Sequence, residues 1–485
     1  MTLYSRRRFL EDSMLATTAA ALAAGAPAVL EAEERRPTKS ANERLSVAVV
    51  GVRGQGNSHL GAYSNPKSGH NTEVTYICDA DEAIGRKRVE ETAKRQGRAP
   101  KYVPDLRQVF DDPSVDVVST ATPNHWHALV SIWAMQAGKD VYVEKPVSHN
   151  VSEGRRIVET ARRHQRICQT GTQCRSMGGT IEAIEYVKAG KIGEVKLARG
   201  LCYKSRGSIG PKGNYEVPKT VDYNLWLGPA PMKPPARRQF HYDWHWFWDY
   251  GCGDLGNQGI HQMDIARWGL GLNTLSQRVV SYGGRFGYED AGETANTQMI
   301  VHDFGDKTLV FEVRGLPTEP LRGAKVGVIF EGAEGFVVLT SYEGGAAFDR
   351  DGKLTATFHA GGDHFGNFLS AVRSRRPEDL HADIEEGHLS SALCHLGNIS
   401  YRLGEQTPLA EMAGRLNGYA QASEDFQRFA DHLKTNGVPD TTLGRLGAAL
   451  RFDPAAETFV GNSAADALLT REYRAPFVVP AAGQV

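Results

Sequence analysis

The chain has 485 residues, of which 41% are hydrophobic and 23% charged, and its formal net charge is −1. The length favours two or three domains, and the composition is typical of a soluble globular protein. The near-neutral charge, without a basic stripe, argues against nucleic acid or an anionic membrane surface as a partner.

The first predicted element is an export signal. Three arginines (Arg6 to Arg8) form a positive start, residues 14–24 are small and mildly apolar, and AGAPA (residues 24–28) offers small-residue cleavage sites. The apolar run is too short for a spanning helix. The order Ser-Arg-Arg-x-Phe-Leu resembles the twin-arginine signal, which implies export of a folded protein to the periplasm; the alternative is a disordered basic tail. Residues 1–44 are interpreted as signal and linker.

Strands and helices then alternate. The apolar runs LSVAVV, EVTYIC, VDVVST and DVYV are typical of buried parallel strands. The segments HALVSIWAMQAG and SEGRRIVETARRH have helical spacing. Together they predict an α/β domain with a doubly wound parallel sheet over residues 45–170.

The pattern changes near residue 171. Segments such as EVKLARGLCYK, TQMIVHDF, TLVFEVRG, KVGVIFEG and GFVVLTS alternate with period two, which predicts a mainly antiparallel, open-faced sheet. Helical patterns return from Asp363 onward. We therefore expect a second, α+β substrate domain over residues 171–408 and a helical and extended cover segment over residues 409–485.

A glycine-rich turn follows the first strand. Its glycines, in the order G-x-x-G-x-G, allow a tight turn and close approach to a pyrophosphate, which the next helix N-terminus stabilises. Asp79 closes the second strand, where a carboxylate can accept hydrogen bonds from a ribose 2′-OH and would repel a 2′-phosphate. These features predict a dinucleotide fold that binds NAD rather than NADP. The turn residues are Gly51, Arg53, Gly54 and Gly56.

Three further motifs complete a family pattern. ATPNHWHA (residues 121–128), EKP (residues 144–146) and GDLGNQGIHQMD (residues 253–264) follow the glycine turn in order. This set resembles the glucose-fructose oxidoreductase, inositol dehydrogenase and rhizopine-catabolism (Gfo/Idh/MocA) family, from about residue 45 to at least 404. The resemblance implies a Rossmann domain followed by an open-faced sheet domain. It also places Thr122, Pro123, Asn124, His127, Glu144 and Lys145 near the cofactor.

The resemblance also implies catalytic roles. Lys145 would point at the reacting hydroxyl, where an ammonium favours alkoxide character. His261 would exchange the proton as the hydride moves. Asp264 lies one helical turn further on and is expected to reach the same substrate. Many family members carry an aspartate where this chain has Asn257, so a carboxylate-assisted histidine is in doubt.

The substrate side is less defined by the sequence. Gln173 and Arg175, in GTQCRS, are candidate cleft residues beside Asn257 and His261. The stretch FHYDWHWFWDYG (residues 240–251), with Trp248, offers aromatic faces and polar groups for a sugar, although a core plug or a subunit contact fits equally well. No ligand set has a metal-site spacing, and the six scattered cysteines are expected to be buried thiols.

Two functions remain open on this fold. The first is an NAD-dependent oxidoreductase that moves a hydride to or from a carbinol carbon of a sugar, sugar derivative or cyclic polyol. The second is a redox-neutral glycoside hydrolase or lyase that uses the same cofactor transiently. Because a periplasm offers no obvious pool of free NAD, we expect a tightly held cofactor. We also expect a small-molecule carbohydrate or polyol as the partner, no nucleic acid, no membrane association beyond the signal, and a homo-oligomer.

Overall fold

A computed structural model of the protein describes residues 44–416 and 418–485. The predicted twin-arginine signal and almost all of its linker lie outside these residues. The described chain contains two sheets, one largely parallel and one mainly antiparallel, as the sequence predicts.

The first sheet is parallel throughout, and its central strand β1 is buried along its whole length. Its strands are β1 (Leu45–Val50), β2 (Thr72–Cys78), β3 (Lys101–Val103), β4 (Val117–Thr120), β5 (Asp140–Val143) and β6 (Cys168–Thr170). They lie in the order β3-β2-β1-β4-β5-β6. This is the doubly wound order, in which the chain reverses direction across the sheet between β1 and β4.

Helices connect these strands. They are α1 (Gln55–Ser64), α2 (Glu82–Gln96), α3 (Arg107–Phe110), α4 (Asn124–Gln136) and α5 (Val151–Arg163). Local sequence explains where α2 begins and ends: the Asp81 side chain accepts from the Ala83 N–H, and Gly97 adopts a left-handed conformation that closes the helix.

The second sheet is mixed rather than wholly antiparallel, because β7 and β10 pair in parallel. Its strands are β7 (Val195–Tyr203), β8 (Arg278–Gly284), β9 (Thr297–Asp303), β10 (Thr308–Arg314), β11 (Val326–Gly332), β12 (Gly335–Ser341), β13 (Gly344–Asp349), β14 (Leu354–His359), β15 (Glu405–Pro408), β16 (Leu443–Leu446), β17 (Leu450–Asp453) and β18 (Thr458–Phe459). The main path runs β14-β13-β12-β11-β7-β10-β9-β8-β16-β15. Strands β16 and β17 pair with β8, so the C-terminal segment is part of this sheet as well as a cover.

Helices lie on both faces of the second sheet, but not every helix after β6 does: α10 packs against the first sheet through Phe368 and Leu369. The helices that follow β6 are α6 (Gly178–Lys188), α7 (Tyr223–Leu227), α8 (Gly253–Asn257), α9 (Gly259–Leu270), α10 (His364–Ser374), α11 (Ile384–Arg402), α12 (Leu409–Met412), α13 (Ala420–Thr435) and α14 (Ser463–Asp466). On one face, α9 and α11 pack against the strands, and α11 also packs against α5 of the first domain. On the other face, Phe426 and Phe429 of α13 pack on Tyr282 of β8. The protein's own helix therefore covers part of the face that the sequence predicts to be open.

The six cysteines are all buried and unbridged, which confirms that expectation. Within residues 44–416 and 418–485, no helix has both the length and the apolar character needed to cross a membrane.

Candidate active site

A cleft of about 360 Å³ lies at the carboxyl ends of the parallel strands, at the β1/β4 reversal. Doubly wound sheets bind their ligands at this position. Ten residues predicted to bind the cofactor line it: Gly51, Arg53, Gly54, Asp79, Thr122, Pro123, Asn124, His127, Glu144 and Lys145. The sequence motifs, which are far apart in the chain, therefore converge on one cleft.

The glycine turn needs glycine at two positions. Gly51 has a φ of +78°, and a Cβ at this position would lie 2.7 Å from the backbone nitrogen of Thr122. A Cβ on Gly56 would collide with the carbonyl oxygen of Gly51, so Gly56 shapes the turn without lining the cleft. The turn leads into α1, whose free N–H groups and positive dipole end favour a pyrophosphate.

Asp79 braces this turn as well as facing the cleft. Its carboxylate accepts hydrogen bonds from the N–H groups of Val52, at 2.8 Å, and Asp81, at 2.9 Å. Burial raises the pKa of Asp79 to about 6, although these two hydrogen bonds oppose the shift. A carboxylate in this position fits the ribose hydroxyls of an NAD molecule.

The opposite end of the cleft is built by the turn after β4 and the start of α4. The side-chain oxygen of Asn124 is buried and has no hydrogen-bond partner among the described residues, so it is available to a ligand. The ring of His127 lies between two carbonyl oxygens, 2.6 Å from that of Pro146 and 2.7 Å from that of Thr122. His127 thus ties the β4 turn to the EKP segment. The glycine turn, Asp79 and Asn124 together fit a bound dinucleotide.

Glu144 is held by a histidine that sequence reasoning missed. Its carboxylate lies 3.1 Å from Nε2 of His59, whose Nδ1 lies 2.9 Å from the Ser119 hydroxyl. Burial alone would raise the pKa of Glu144, but His59, Lys145 and His261 lower it to about 2. Glu144 is therefore ionised at the end of the cleft. His59 is one buried histidine in a helix, without a motif to distinguish it.

Lys145 lies where the cleft meets the second domain. Its Nζ donates to the carbonyl oxygen of Asn257, at 2.8 Å. Burial lowers the pKa of Lys145; Glu144 opposes the shift, and the Lys204 ammonium adds to it. Lys145 thus lies between the cofactor cleft and helix α9.

His261 lies on α9, is only 3% exposed and does not itself line the cleft; it is kept as a candidate because its charge environment includes Lys145 and Glu144, which do. Its Nδ1 is buried without a hydrogen-bond partner among the described residues, and its ring packs on Tyr342 with centroids 4.8 Å apart. Burial, followed by the charge of Lys145, lowers the pKa of His261 to about 3, with Lys204 contributing in the same direction. The imidazole is therefore neutral near pH 7, which leaves a ring nitrogen without a proton, although the same shift makes it a weaker base than a free histidine. None of the described carboxylates forms a hydrogen bond with it.

The structure corrects the assignment of Asp264. Its carboxylate accepts two hydrogen bonds from Arg175, at 2.8 and 2.9 Å, and one from Ser390, at 2.7 Å. Arg267 also lies 3.7 Å from it, and Asp264 does not line the cleft. Asp264 and Arg175 therefore form a buried ion cluster that joins α9 to α11, and neither is placed to meet substrate.

Of the three remaining substrate candidates, one lines the cleft and two do not. Asn257 lines the cleft, and its backbone accepts from Lys145. Gln173 lies in a short 3₁₀ turn and does not line the cleft. Trp248 faces a different groove, where it packs against the guanidinium of Arg402 at 5.2 Å. Its position corrects the expectation that it contacts substrate in the cleft. Among the described residues, no group of three or more His, Cys, Asp and Glu is placed to hold a metal ion.

A segment of the second domain, residues 218–250, crosses to the first domain beside the cleft; we call it the strap. Its Thr220 hydroxyl donates to Asp81 at 2.7 Å, and Nε2 of His241 lies 2.8 Å from the other Asp81 oxygen. Two backbone hydrogen bonds, Glu82 N–H to Thr220 O and Asp222 N–H to Ala80 O, complete the junction. The strap lines the cleft with Leu225, Trp226, His241, Tyr242, Trp244 and His245.

The aromatic stretch also forms a small core within the strap. Arg237, only 1% exposed, lies 4.6 Å from the ring centroid of Trp226, 4.7 Å from that of Phe240 and 5.1 Å from that of Tyr250. The core-plug interpretation therefore holds for these rings, while Tyr242 and Trp244 reach the cleft. From outside, Arg474 donates to the backbone and side chain of Asn224. The C-terminal segment braces the strap and does not itself line the cleft.

Comparisons with known proteins agree with this architecture. Residues 45–172 match the model described as "Oxidoreductase family, NAD-binding Rossmann fold", and residues 208–427 match "Oxidoreductase family, C-terminal alpha/beta domain". An alpha-N-acetylgalactosaminidase of Shewanella oneidensis is 29% identical over 157 residues, which is 32% of this chain and 34% of that protein. An inositol 2-dehydrogenase of Salmonella typhimurium is 27% identical over 178 residues, 36% of this chain and 50% of that protein. The chain thus spans between a third and a half of these curated relatives.

Solved structures show the same fold over a longer stretch. Levoglucosan dehydrogenase in complex with NADH has a TM-score of 0.55 at 19% identity, covering 73% of this chain and 95% of that one. The WlbA dehydrogenase of Chromobacterium violaceum, in complex with NADH and UDP-GlcNAcA, has a TM-score of 0.56 at 18% identity. The match covers 75% of this chain and 95% of that one. With two matching family models in the correct order, the chain belongs to the Gfo/Idh/MocA oxidoreductase family and has its NAD-binding Rossmann domain.

Proposed function

We propose that the protein is an NAD-dependent oxidoreductase that transfers a hydride between its cofactor and a carbinol carbon of a sugar, sugar derivative or cyclic polyol. The observation that carries this proposal is the position of Lys145, at the inner end of the dinucleotide cleft and close to a neutral His261. The inositol and levoglucosan dehydrogenases among the similar proteins support the substrate class.

The chain's own residues account for the proton in this reaction. Bound NAD would take the hydride from the carbon as the C–H bond breaks. Lys145 would donate a hydrogen bond to the substrate oxygen and favour its alkoxide character. His261 would accept the hydroxyl proton; Nδ1 is buried, which leaves Nε2 as the nitrogen available to substrate. In the reverse direction, the same proton returns to the oxygen.

The strap supports a cofactor that stays bound between turnovers. It holds Asp81, which caps α2 beside the ribose-binding Asp79, and it lines the cleft with aromatic side chains. For a dinucleotide to leave, these contacts must break or the cleft must widen. Retention of this kind suits an enzyme that works where free NAD is scarce.

We also propose that the enzyme is exported to the periplasm by the twin-arginine route. The support is the order Ser-Arg-Arg-x-Phe-Leu with the small apolar run behind it. That route carries folded proteins, so a retained cofactor can travel with the enzyme.

A redox-neutral glycoside cleavage is the second candidate. It is supported by the alpha-N-acetylgalactosaminidase and the glycosyl hydrolase family 109 proteins among the relatives. A neutral His261 beside the cofactor is also suited to removing the proton that becomes acidic once a neighbouring carbon is oxidised. Release of an aglycone from aryl glycosides without added cofactor, and without lasting NADH, would favour this candidate.

The proposal is tested by following absorbance at 340 nm after sugars and polyols are added to the NAD-loaded enzyme. Lys145→Met should lower the rate of NAD reduction by roughly 10²–10⁴-fold when variant and wild type are compared at equal NAD occupancy. Lys212→Met, at an exposed lysine outside the cleft, is the matched control and should behave as wild type. An unchanged rate in Lys145→Met would overturn the assignment.

A further inference from the structure

The site holds a second lysine whose charge no carboxylate balances. Lys204 follows β7 and is half-buried, and its Nζ donates to the side-chain oxygen of Gln258, the residue just before α9, at 2.5 Å. Gln258 is an amide, and none of the described acidic side chains forms an ion pair with Lys204. The Lys204 ammonium is close enough to lower the pKa values of both Lys145 and His261. Gln258 directly follows Asn257, whose carbonyl oxygen accepts from Lys145, so the hydrogen bond to Gln258 holds Lys204 next to the segment that Lys145 contacts.

The acids around this centre are already engaged. Glu144 is paired with His59, and Asp264 with Arg175. Asp254, on the short helix before α9, accepts two hydrogen bonds from Arg206, at 2.8 and 2.6 Å. Asp264 and Asp254 each pair with an arginine, and Glu144 faces the Lys145 ammonium as well as His59, so none of these three carboxylates is paired with Lys204.

A second donor lies beside it. Gln258 donates to the hydroxyl oxygen of Tyr342 at 2.8 Å, and the same tyrosine ring packs on His261. The Tyr342 O–H is itself free to donate, since none of the described residues accepts it. Lys204 and Tyr342, joined through Gln258, thus bring an ammonium and a hydroxyl into one cluster with His261.

We propose that the substrate is an acidic sugar, and that Lys204 and Tyr342 bind its carboxylate while Lys145 and His261 act on a hydroxyl. One ammonium with one hydroxyl donor matches a planar monoanion such as the carboxylate of a hexuronic acid. A phosphate dianion would call for more positive charge. A salt bridge in a partly desolvated site also discriminates strongly against the uncharged analogue, because that analogue leaves the cation unpaired. The inference rests on the proposed oxidoreductase function and narrows its substrate class.

The test compares methyl glucuronoside and methyl galacturonoside with the corresponding methyl glucoside and galactoside. Both NAD reduction and binding by calorimetry are measured on the full-length, NAD-loaded enzyme. The wild type should prefer the uronides by at least about tenfold in kcat/KM, and their affinity should fall as salt rises. Lys204→Gln keeps an amide partner for Gln258. It should lower kcat/KM for the uronides by roughly 10–100-fold and kcat/KM for the neutral sugars by less than about threefold. Tyr342→Phe should also lower kcat/KM for the uronides, but by a smaller factor than Lys204→Gln.

Two control variants keep the outcomes separate. Lys204→Arg retains the charge and should retain most of the uronide preference, whereas Lys212→Gln should change nothing. Equal use of neutral and acidic sugars in the wild type, or equal losses for both in Lys204→Gln, would overturn the inference. A preference for sugar 6-phosphates over uronides would overturn the carboxylate assignment. Salt-dependent uronide binding without NAD reduction would support the acidic ligand and refute the oxidoreductase function.

Discussion

Replacing His241 with alanine removes one of the contacts that hold the strap to the first domain. The lost contact is the hydrogen bond from the His241 ring to Asp81, at 2.8 Å. Burial lowers the pKa of His241, although Asp81 opposes the shift, so the ring is neutral near pH 7 and donates to the Asp81 carboxylate. The Thr220 hydroxyl and the two backbone bonds remain, so the strap should loosen without unfolding.

The expected size of the effect follows from the type of bond. A hydrogen bond to a charged acceptor contributes about 1.5–3 kcal/mol. If opening of the strap limits NAD release, removing this contribution should accelerate release by roughly 10–150-fold. The fold should be retained because the His241 side chain is partly exposed.

The assay is the dissociation rate of NADH, followed by loss of its bound fluorescence after excess NAD is added. The matched control is His359→Ala, at a histidine that is 78% exposed and lies 3.7 Å from Glu343, far from the cleft. Wild-type release rates in His241→Ala, in a protein with unchanged circular dichroism, would refute the role of the strap in holding the cofactor.

Three further predictions concern single residues. Gly51→Ala should abolish NAD binding and lower the free energy of unfolding by about 1–3 kcal/mol, measured by calorimetry and urea unfolding, because its left-handed φ and the nearby Thr122 nitrogen exclude a Cβ. NAD affinity should weaken as pH falls through about 6, as Asp79 becomes protonated and loses its charge as a ribose acceptor, and titrations between pH 5 and 7.5 should show this dependence in wild type but not in Asp79→Asn. In the protein without NAD, the raised pKa of Asp79 acts in the other direction, because the folded state binds the proton more tightly than the unfolded state does. The free energy of unfolding should therefore rise as pH falls from about 6 towards 4. Asp264→Ala should lower stability by about 3–5 kcal/mol because it removes the buried carboxylate that Arg175 and Ser390 both contact, leaving Arg175 with only Glu386; a large loss of activity at unchanged stability would restore its predicted catalytic role.

The parts of the fold that depend on local sequence were predictable. The strand β1 and the turn after it follow from an apolar run ended by Gly51, and the cleft residues follow from motifs at strand ends. Strand β3 escaped notice because it has only three residues. Helix α13 was identified as helical, but which sheet face it covers depends on side chains that lie far away in sequence.

The parts of the site that depend on distant partners were not predictable. Helical spacing places Asp264 on the same helix as His261. The Asp264 side chain nevertheless points towards Arg175, which lies in a distant segment of the sequence. Likewise, no local sequence pattern predicts that Glu144 forms a hydrogen bond with His59, or that Tyr342 packs on His261. Each of these contacts joins segments of one domain that are far apart in sequence.

The most direct test of the account is to denature the purified full-length protein and measure the released nicotinamide nucleotide by mass spectrometry. A parallel native sample is challenged with a sugar panel that includes uronides. The account predicts stoichiometric NAD rather than NADP, and reduction of that bound NAD by at least one sugar without added cofactor. Protein that carries no nucleotide, and binds added NAD only weakly, would contradict a retained cofactor and with it the central proposal.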